Sequence, residues 1–166
     1  MSYLFKLACN QPEIADYYAL RRKIFVEEQA LFLNDDTDAL DAIAYPIIAV
    51  AADAPELEVL GIVRIYEPEP RLWYGGRLGT HPNRRKGWHI GKGLIHKAVT
   101  TANAWGCDRF LATVQIQNVR FFQRLHWDSL EEIEIRGIPH HLMQADLDYY
   151  PANNEIRPVL QYSQAS

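Results

Sequence analysis

The feature that most restricts the fold is a long amphipathic helix predicted between two apolar strands. The helical pattern spans Ile90–Trp105 and stops at Gly106, a residue type that commonly ends helices. Strands are predicted before and after it, at Arg71–Thr80 and Arg109–Gln115. The apolar face of the helix consists of Ile90, Leu94, Ala98 and Ala102. A strand, a helix and another strand in this order predict a layered domain of helices on a sheet.

Other apolar patterns add strands and helices on both sides of this unit. The further strands are predicted at Tyr3–Ala8, Tyr45–Ala52, Glu58–Tyr66, Leu130–Arg136 and His141–Leu147, and the further helices at Pro12–Glu27 and Asn118–His126. The length of 166 residues suits a single core. We therefore expect one α/β (α+β) domain with a mixed sheet over residues 1–150, followed by a polar C-terminal tail at residues 151–166.

Glycine and proline mark two irregular places in the predicted strands. Pro68 and Pro70 are expected to end the strand Glu58–Tyr66, because proline cannot donate a ladder hydrogen bond. Gly75 and Gly76 lie inside the next strand, where glycine often marks a bulge or a close backbone approach.

Composition excludes several classes of protein. The formal net charge is -4, whereas nucleic-acid binders usually carry a basic surplus. The chain has no run near the roughly 20 apolar residues that a membrane span needs, and no basic start followed by an apolar run. Cys9 and Cys107 lie far apart and match no metal spacing, so we expect reduced thiols and no metal. These observations predict a cytoplasmic protein without nucleic-acid or membrane partners.

A basic, glycine-containing loop connects the strand Arg71–Thr80 to the long helix. The cations are Arg84, Arg85, Lys86 and Lys92, and the glycines are Gly87, Gly91 and Gly93. A helix N-terminus offers free amide groups and a positive dipole end, which suits a pyrophosphate. The loop lacks the GxxxxGK[ST] and GxGxxG patterns, so it is neither a P-loop nor a Rossmann fingerprint. The simplest alternative is a solvated basic loop in front of an ordinary helix.

The same region resembles the coenzyme A half of a GNAT-type acetyltransferase. Arg77–Pro82 is similar to the family's strand and "VHP" segment, and the loop is similar to its R/Q-x-x-G-x-G/A motif. In the best register Lys86 takes the Arg/Gln position, His89 the first glycine and Gly91 the second. Lys86 retains the positive charge of the motif, and His89 departs from its glycine.

Two later segments extend the resemblance. Phe110–Gln115 resembles the strand that splays from its neighbour to admit the acyl-pantetheine arm, and Asn118–Trp127 resembles the "N…FYEKLGF" helix. Many family members have a tyrosine in that helix that protonates the departing CoA thiolate. The equivalent residue here is Phe122, which has no proton to donate.

Both ends of the chain also resemble one group within the family. Leu20–Gln29 is similar to a first helix with an "R-x-x-V-F-x-x-E-Q" signature, and Gly137–Met143 is similar to the final hairpin. The group is a bacterial GNAT subfamily linked to nitrogen starvation. The resemblance covers the chain from Tyr18 to Leu147.

The resemblance implies a fold and a reaction. The fold is a mostly antiparallel, twisted sheet with splayed central strands, and the reaction is direct attack of a small primary amine on acetyl-CoA. Family members are often homodimers. The residues expected to bind CoA are Leu78, Gly79, Thr80, Arg85, Lys86, Gly87, Trp88, His89, Ile90, Gly91, Lys92, Gly93, Asn118, Phe121, Phe122 and Arg124. Leu78–Thr80 would supply a backbone N–H to the thioester carbonyl.

Three side chains are candidates for the general base. Glu28 ends the first helix, which borders the acceptor pocket in the family, although it could equally pair with a nearby arginine. His140 and His141 are adjacent in a strand, so they point to opposite faces and only one can face the cleft. The acidic loop with Asp35, Asp36, Asp38 and Asp41 would attract a cationic amine if it lined the cleft, but a solubilising loop is the simpler interpretation.

Two other functions stay open from the sequence. One is an acyl-CoA-binding sensor or interaction domain without catalysis, which Phe122 and His89 favour. The other is an acyltransferase similar to acyl-homoserine lactone synthases, which share the fold and use acyl carrier protein and S-adenosylmethionine. The basic loop argues for free acyl-CoA instead.

Overall fold

The computed structural model describes residues 2–85 and 88–160. Its strands are β1 (Tyr3–Leu7), β2 (Tyr45–Ala51), β3 (Val59–Glu69), β4 (Leu72–Thr80), β5 (Arg109–Gln115), β6 (Trp127–Ile135) and β7 (Ile138–Ala145). Its α-helices are α1 (Gln11–Arg22), α2 (His89–Ala104) and α3 (Val119–Arg124). The strands form one sheet in the order β1-β2-β3-β4-β5-β7-β6. The mixed, mostly antiparallel sheet with flanking helices confirms the predicted fold class.

Helices cover both faces of the sheet, and each face has its own apolar core. On one face, α2 and α3 pack with residues such as Ile47 and Phe110. On the other face, Ile24 and Phe25 at the end of the first helical segment pack with Ile48. Ile47 and Ile48 are both 0% exposed because side chains alternate along β2 and both faces of this strand are covered. We call the two faces the α2 side and the α1 side.

The first helix changes its geometry before its predicted end. It starts as expected, with the side chain of Asn10 accepting a hydrogen bond from the Glu13 amide at 2.9 Å. After Arg22 it continues as a π-helical turn over Lys23–Glu28, in which the Gln29 amide donates to the Ile24 carbonyl at 2.9 Å. Such turns in natural helices are frequent at functional sites.

Three strands have bounds that differ from the prediction, and two of these strands contain a proline. β3 continues through Pro68, although the ladder is irregular between Tyr66 and Glu69. β6 already begins at Trp127. β7 already begins at Ile138 and includes Pro139, which is tolerated because the β5–β7 ladder ends at the Gln115–His140 pair.

The described part of the predicted tail packs against the domain. The Asn153 amide donates to the Thr100 carbonyl on α2 at 3.2 Å. Arg157 lies against the rings of Tyr45, Trp73 and Trp105, with its guanidinium carbon 4.9 Å from the centre of Trp73. Residues 151–160 therefore connect α2 to the part of the sheet that contains Tyr45 and Trp73.

Candidate active site

β4 and β5 separate halfway along the sheet. They pair in parallel only from Leu72–Arg109 to Tyr74–Leu111. Beyond that point β4 stays with β3 as far as Thr80, and β5 stays with β7 as far as Gln115. Because each strand follows its outer neighbour, a cleft of about 660 Å³ opens between them and reaches both faces of the sheet. This is the splay that the sequence resemblance predicts.

A bulge frees part of the β4 edge that faces the cleft. Gly76 pairs with Arg64 and Gly79 pairs with Ile62, so Arg77 and Leu78 together oppose a single residue of β3. Arg77 has a φ of 53°, the left-handed conformation that one form of β-bulge requires. The bulge follows the glycine pair directly, and Gly75 allows the close approach that the sequence predicts, since a Cβ there would lie 3.1 Å from the Phe110 ring.

Backbone amides of β4 face the opening. The His81 amide donates to the Leu60 carbonyl of β3 at 2.8 Å. Amide groups alternate between the two edges of a strand, so the amides of Leu78 and Thr80 point away from β3 and toward the cleft. On that edge the carbonyl of Thr80 accepts a hydrogen bond from Arg85 at 3.1 Å. Within the described residues, β5 pairs with β4 only as far as Tyr74, so no strand covers this edge at Leu78 and Thr80.

The N-terminus of α2 is open. Trp88 occupies the N-cap position and its side chain makes no capping hydrogen bond. The first helical bond runs from the Lys92 amide to the Trp88 carbonyl, at 2.8 Å. The amides of His89, Ile90 and Gly91 therefore lack partners in the described parts of the chain, as the first turn of any uncapped helix does. Lys86 and Gly87, which the sequence places in the anion-binding loop, lie outside the described residues.

Aromatic and basic side chains surround this helix end. Trp88 is 57% exposed and packs edge-on against Phe121 at 5.7 Å. The guanidinium carbon of Arg124 lies 5.4 Å from the centre of the Trp88 ring. Gly91 faces Phe121, with room for a Cβ at an ordinary contact distance of 3.7 Å. The α2 end thus combines free amides, a cation and an exposed ring.

Two predicted CoA residues of α2 have a packing role. A Cβ at Gly93 would lie 2.1 Å from the Phe5 ring, so glycine there lets α2 approach β1 closely. The Ile90 side chain is buried against Gly61, which leaves only its amide for the helix end.

Glu28 and Arg85 form an exposed pair at the rim of the α1 side. Both nitrogens of the Arg85 fork donate to the carboxylate, at 2.8 and 2.5 Å. The hydrogen bonds and charge of Arg85 lower the pKa of Glu28. Glu28 is not among the residues that line the cleft. The structure therefore gives Glu28 the arginine partner that the sequence analysis considered as an alternative to a base.

Phe122 and Asn118 line the α2 side of the cleft. Phe122 is buried and packs edge-on against Trp127 at 5.1 Å. Its ring fills the position where the resemblance places a tyrosine, so no hydroxyl is supplied from α3.

His140 lines the cleft, whereas His141 does not. Met143 and Ala145 belong to the α2-side core, so alternation along β7 places His141 toward the α2 side and His140 toward the α1 side. His140 is 9% exposed, and its Nδ1 lies 2.8 Å from the Ile138 carbonyl. A carbonyl only accepts, so Nδ1 donates, and in the neutral ring Nε2 keeps its lone pair. The Nδ1 of His141 instead lies 2.7 Å from the Ser129 hydroxyl.

The acidic loop forms a network with arginines that the sequence analysis missed. Arg21 is 0% exposed and donates to Asp36 at 2.8 Å and to Asp41 at 2.7 Å. Burial by itself would raise the pKa of Asp41, but the hydrogen bond and charge of Arg21 outweigh it and lower the pKa. Asp35 is used locally, accepting from the Thr37 amide. Asp36 and Asp41 are therefore not free to bind a cationic acceptor, whereas Asp35 stays exposed.

The network continues to the wall of the cleft. Arg64 donates to Asp38 at 2.7 Å and to Asp41 at 2.9 Å, and Arg77 donates to the Asp36 carbonyl at 2.7 Å. The partners are 15 to 41 residues apart in the chain. In the sequence, the only sign of this network is that several arginines and aspartates lie in and after the predicted first helix. Nothing in the sequence indicates which of them form pairs.

The described residues contain neither a membrane-spanning helix nor a cluster of metal ligands. In that part of the chain, no helix is long and apolar enough to cross a membrane. The same residues contain no group of three or more His, Cys, Asp or Glu side chains that could hold a metal ion.

Comparison with known proteins gives a consistent result. Residues 14–127 match the acetyltransferase (GNAT) family. The chain is 27% identical over 143 residues to YjcF of Bacillus subtilis, an uncharacterised N-acetyltransferase, covering 84% of this chain and 97% of that protein. A Lactobacillus plantarum protein described as a candidate N-acetyltransferase has a similar structure, with a TM-score of 0.78, 19% identity and coverage of 89% of this chain and 99% of that one.

A third similar protein is the CoA-dependent acyl-homoserine lactone synthase BjaI, solved with SAM and isopentyl-CoA. Its TM-score is 0.69 at 17% identity, over 88% of this chain and 84% of that chain. At these identities the two solved structures establish the fold alone. The three matches do not test the resemblance to the nitrogen-starvation subfamily, which stays a prediction.

Proposed function

Because the chain belongs to the acetyltransferase (GNAT) family, we propose that it transfers an acetyl group from acetyl-CoA to a primary amine of a small-molecule acceptor by direct attack. The observation that carries the proposal is that α3 borders both the opening between β4 and β5, through Phe122, and the uncapped end of α2, through Phe121. A long, thin co-substrate with an anionic end fits this combination.

The α2 side supplies groups for the CoA moiety. The amides of His89, Ile90 and Gly91 would donate to the pyrophosphate, and the positive end of the helix dipole favours that charge. Arg124 and the exposed ring of Trp88 lie beside these amides. The β4 edge at Leu78 and Thr80 would pair with the amides of the pantetheine arm, as an added strand pairs with a free sheet edge.

The bulge supplies the donor for the reacting carbonyl. The amide of Leu78 points into the cleft and would donate to the thioester oxygen, which becomes negative when the amine attacks the carbonyl carbon. The carbon–sulfur bond then breaks, the acetyl group stays on the amine and CoA leaves as a thiolate. Phe122 cannot protonate this thiolate, so in this proposal it departs without a proton from α3.

His140 is our choice for the general base. Its Nδ1–H donates to the Ile138 carbonyl, which fixes the ring and leaves Nε2 to accept a proton from the attacking amine. Glu28 is less suited, because Arg85 holds it as a carboxylate with a lowered pKa outside the cleft lining. In this proposal Glu28 instead positions Arg85 beside Thr80.

Binding and turnover measurements test the proposal together. Calorimetry should show saturable binding of acetyl-CoA, and a thiol-release assay should show CoA formation when a suitable amine is added. Absence of acetyl-CoA binding would contradict the proposal. The buried ring of Phe122 favours a second candidate, an acyl-CoA-binding domain without catalysis; binding without turnover across a broad amine panel would support that function instead.

A further inference from the structure

The α1 side of the cleft is rich in arginine. Arg64, Arg77 and Arg136 all line it, whereas Asp38 has the only carboxylate that the described residues contribute to the lining. In the described residues the network pairs three arginines (21, 64 and 77) with three aspartates (36, 38 and 41), and Arg136 lines the same side of the cleft without an ion pair. This compartment therefore carries surplus positive charge.

Arg77 is incompletely paired. Its one short hydrogen bond goes to a neutral carbonyl, that of Asp36, at 2.7 Å. Its contacts with the carboxylates of Asp36 and Asp38 are longer, 3.3 and 3.4 Å, and its Nη1 has no hydrogen-bond acceptor in the described residues. Burial, and repulsion by Arg64 and Arg21, lower the pKa of Arg77, as expected where cations outweigh anions.

Arg136 brings a second cation to the same place. Its Nη1 donates to the Leu31 carbonyl at 2.8 Å, another neutral acceptor, and it has no ion pair in the described parts of the chain. Both Arg136 and Arg77 lie against Phe32, with their guanidinium carbons 4.4 and 4.5 Å from the ring centre. One aromatic ring thus holds two cations with unused donors at the cleft wall.

Arg64 adds a further positive charge near Arg77. Its terminal nitrogens hold Asp38 and Asp41, but its buried Nε has no hydrogen-bond partner. Because the short hydrogen bonds of Asp38 and Asp41 go to Arg64, these carboxylates neutralise Arg77 only partly.

We propose that the acceptor amine carries a carboxylate, which is bound between Arg77 and Arg136, so that the acceptors are amino-acid-like molecules rather than polyamines or simple alkylamines. The inference rests on the proposed acetyl transfer and names its acceptor class. Guanidinium groups match a carboxylate with paired, charge-assisted hydrogen bonds. A polycation would instead be repelled by the same two side chains.

Matched amines test this proposal through the thiol-release assay. One set is phenylalanine, phenylalaninamide and phenethylamine, and a second is leucine, leucinamide and 3-methylbutylamine; spermidine represents polyamines. We expect kcat/KM for the carboxylate-bearing member of at least one set to exceed those of its neutral-tailed analogues about tenfold or more, as a charge-assisted contact gives.

Two variants link the preference to the arginines. Arg136 is exposed, so the Arg136→Gln variant should fold normally. Arg136→Gln and Arg77→Gln should each lose most of the preference for the carboxylate-bearing amine. The ratio of wild-type to variant kcat/KM for each amine cancels the different basicities of the three amines. Arg109→Gln is the matched control, because Arg109 lies at the closed end of β5 and bonds to Gln144.

The outcomes separate the two proposals. Equal or faster acetylation of the amides, alkylamines or spermidine would overturn the carboxylate proposal and leave acetyl transfer intact. A carboxylate preference that survives in Arg136→Gln and Arg77→Gln would also overturn it. Binding of acetyl-CoA without acetylation of any amine, these and a broader panel included, would overturn both.

Discussion

The two sides of the cleft present different parts of the chain to a ligand. The α2 side offers backbone amides, at the front of α2 and along the bulged edge of β4. The α1 side offers side chains, chiefly arginines that pair with the aspartates of the acidic loop. The difference teaches that the proposed CoA side depends on local geometry, whereas the proposed acceptor side depends on a network that links distant segments.

The largest expected effect concerns the α1 side. His140→Gln should lower kcat by about 10²–10⁴, the usual contribution of a general base, because glutamine cannot take a proton from the amine. Acetyl-CoA affinity should stay unchanged, since His140 is not at the α2 end. Steady-state kinetics with calorimetry measures both.

The His141→Gln variant separates the two adjacent histidines. His141 points to the α2 side and contacts Ser129, so its loss should leave kcat close to that of the wild type. A larger fall in kcat for His141→Gln than for His140→Gln would reverse our assignment of the base.

The network should control stability. Arg21→Met removes the buried partner of Asp36 and Asp41, and breaking such a buried pair costs about 3–5 kcal/mol of unfolding free energy. Urea unfolding measures the change. Arg22→Met is the matched control: its side chain is 54% exposed, its pair with Glu27 is long, at 3.9 Å, and its hydrogen bond to the Asn34 carbonyl is exposed, so we expect a loss below about 1 kcal/mol. Similar losses in both variants would show that the network is not a stabilising unit.

The helix end should control CoA binding without affecting the fold. Gly91→Glu places a carboxylate where the pyrophosphate would bind, and should weaken acetyl-CoA binding about a hundredfold, or by about 2.7 kcal/mol. Gly91→Ala is the matched control, because its Cβ has ordinary room beside Phe121. Calorimetry should therefore find near-normal binding for alanine, and unaltered affinity in the glutamate variant would contradict our placement of the phosphates.

The smallest effect is expected in acid. Arg64 lowers the pKa of Asp38 by hydrogen bonding, and Arg21 lowers that of Asp41, from an unfolded value near 3.8. The folded state then binds fewer protons than the unfolded state, so this contribution is present above that value and is lost as the pH falls below it. Urea unfolding at pH 7, 5 and 3 should show the loss, and Asp38→Asn should reduce its slope. A slope that Asp38→Asn does not change would remove Asp38 from the account.

The sequence predicted the α2 side well because its signals are local. The apolar repeat of α2 and the glycines around it act over a few residues and indicated the open helix end, and the resemblance of Phe110–Gln115 to a family strand implied the splay. Phe122 was also recognised as a departure from tyrosine, since a residue type is visible without a structure.

The α1 side could not be predicted in the same way. Asp36 and Arg77 are 41 residues apart, and each looks like an ordinary surface charge in the sequence. Their pairing depends on how the π-helical turn, the acidic loop and the bulge meet in space. Residues 151–160 give the same lesson, because their polar composition does not show the contacts that Asn153 and Arg157 make with α2 and the aromatic rings beside it.

A crystal structure with acetyl-CoA tests the central claim most directly. We predict pyrophosphate oxygens within hydrogen-bond distance of the amides of His89–Gly91, and the thioester between the two separated strands with its oxygen facing the Leu78 amide. Acetyl-CoA bound anywhere else, or a cleft that stays closed to it at saturating concentration, would contradict the account.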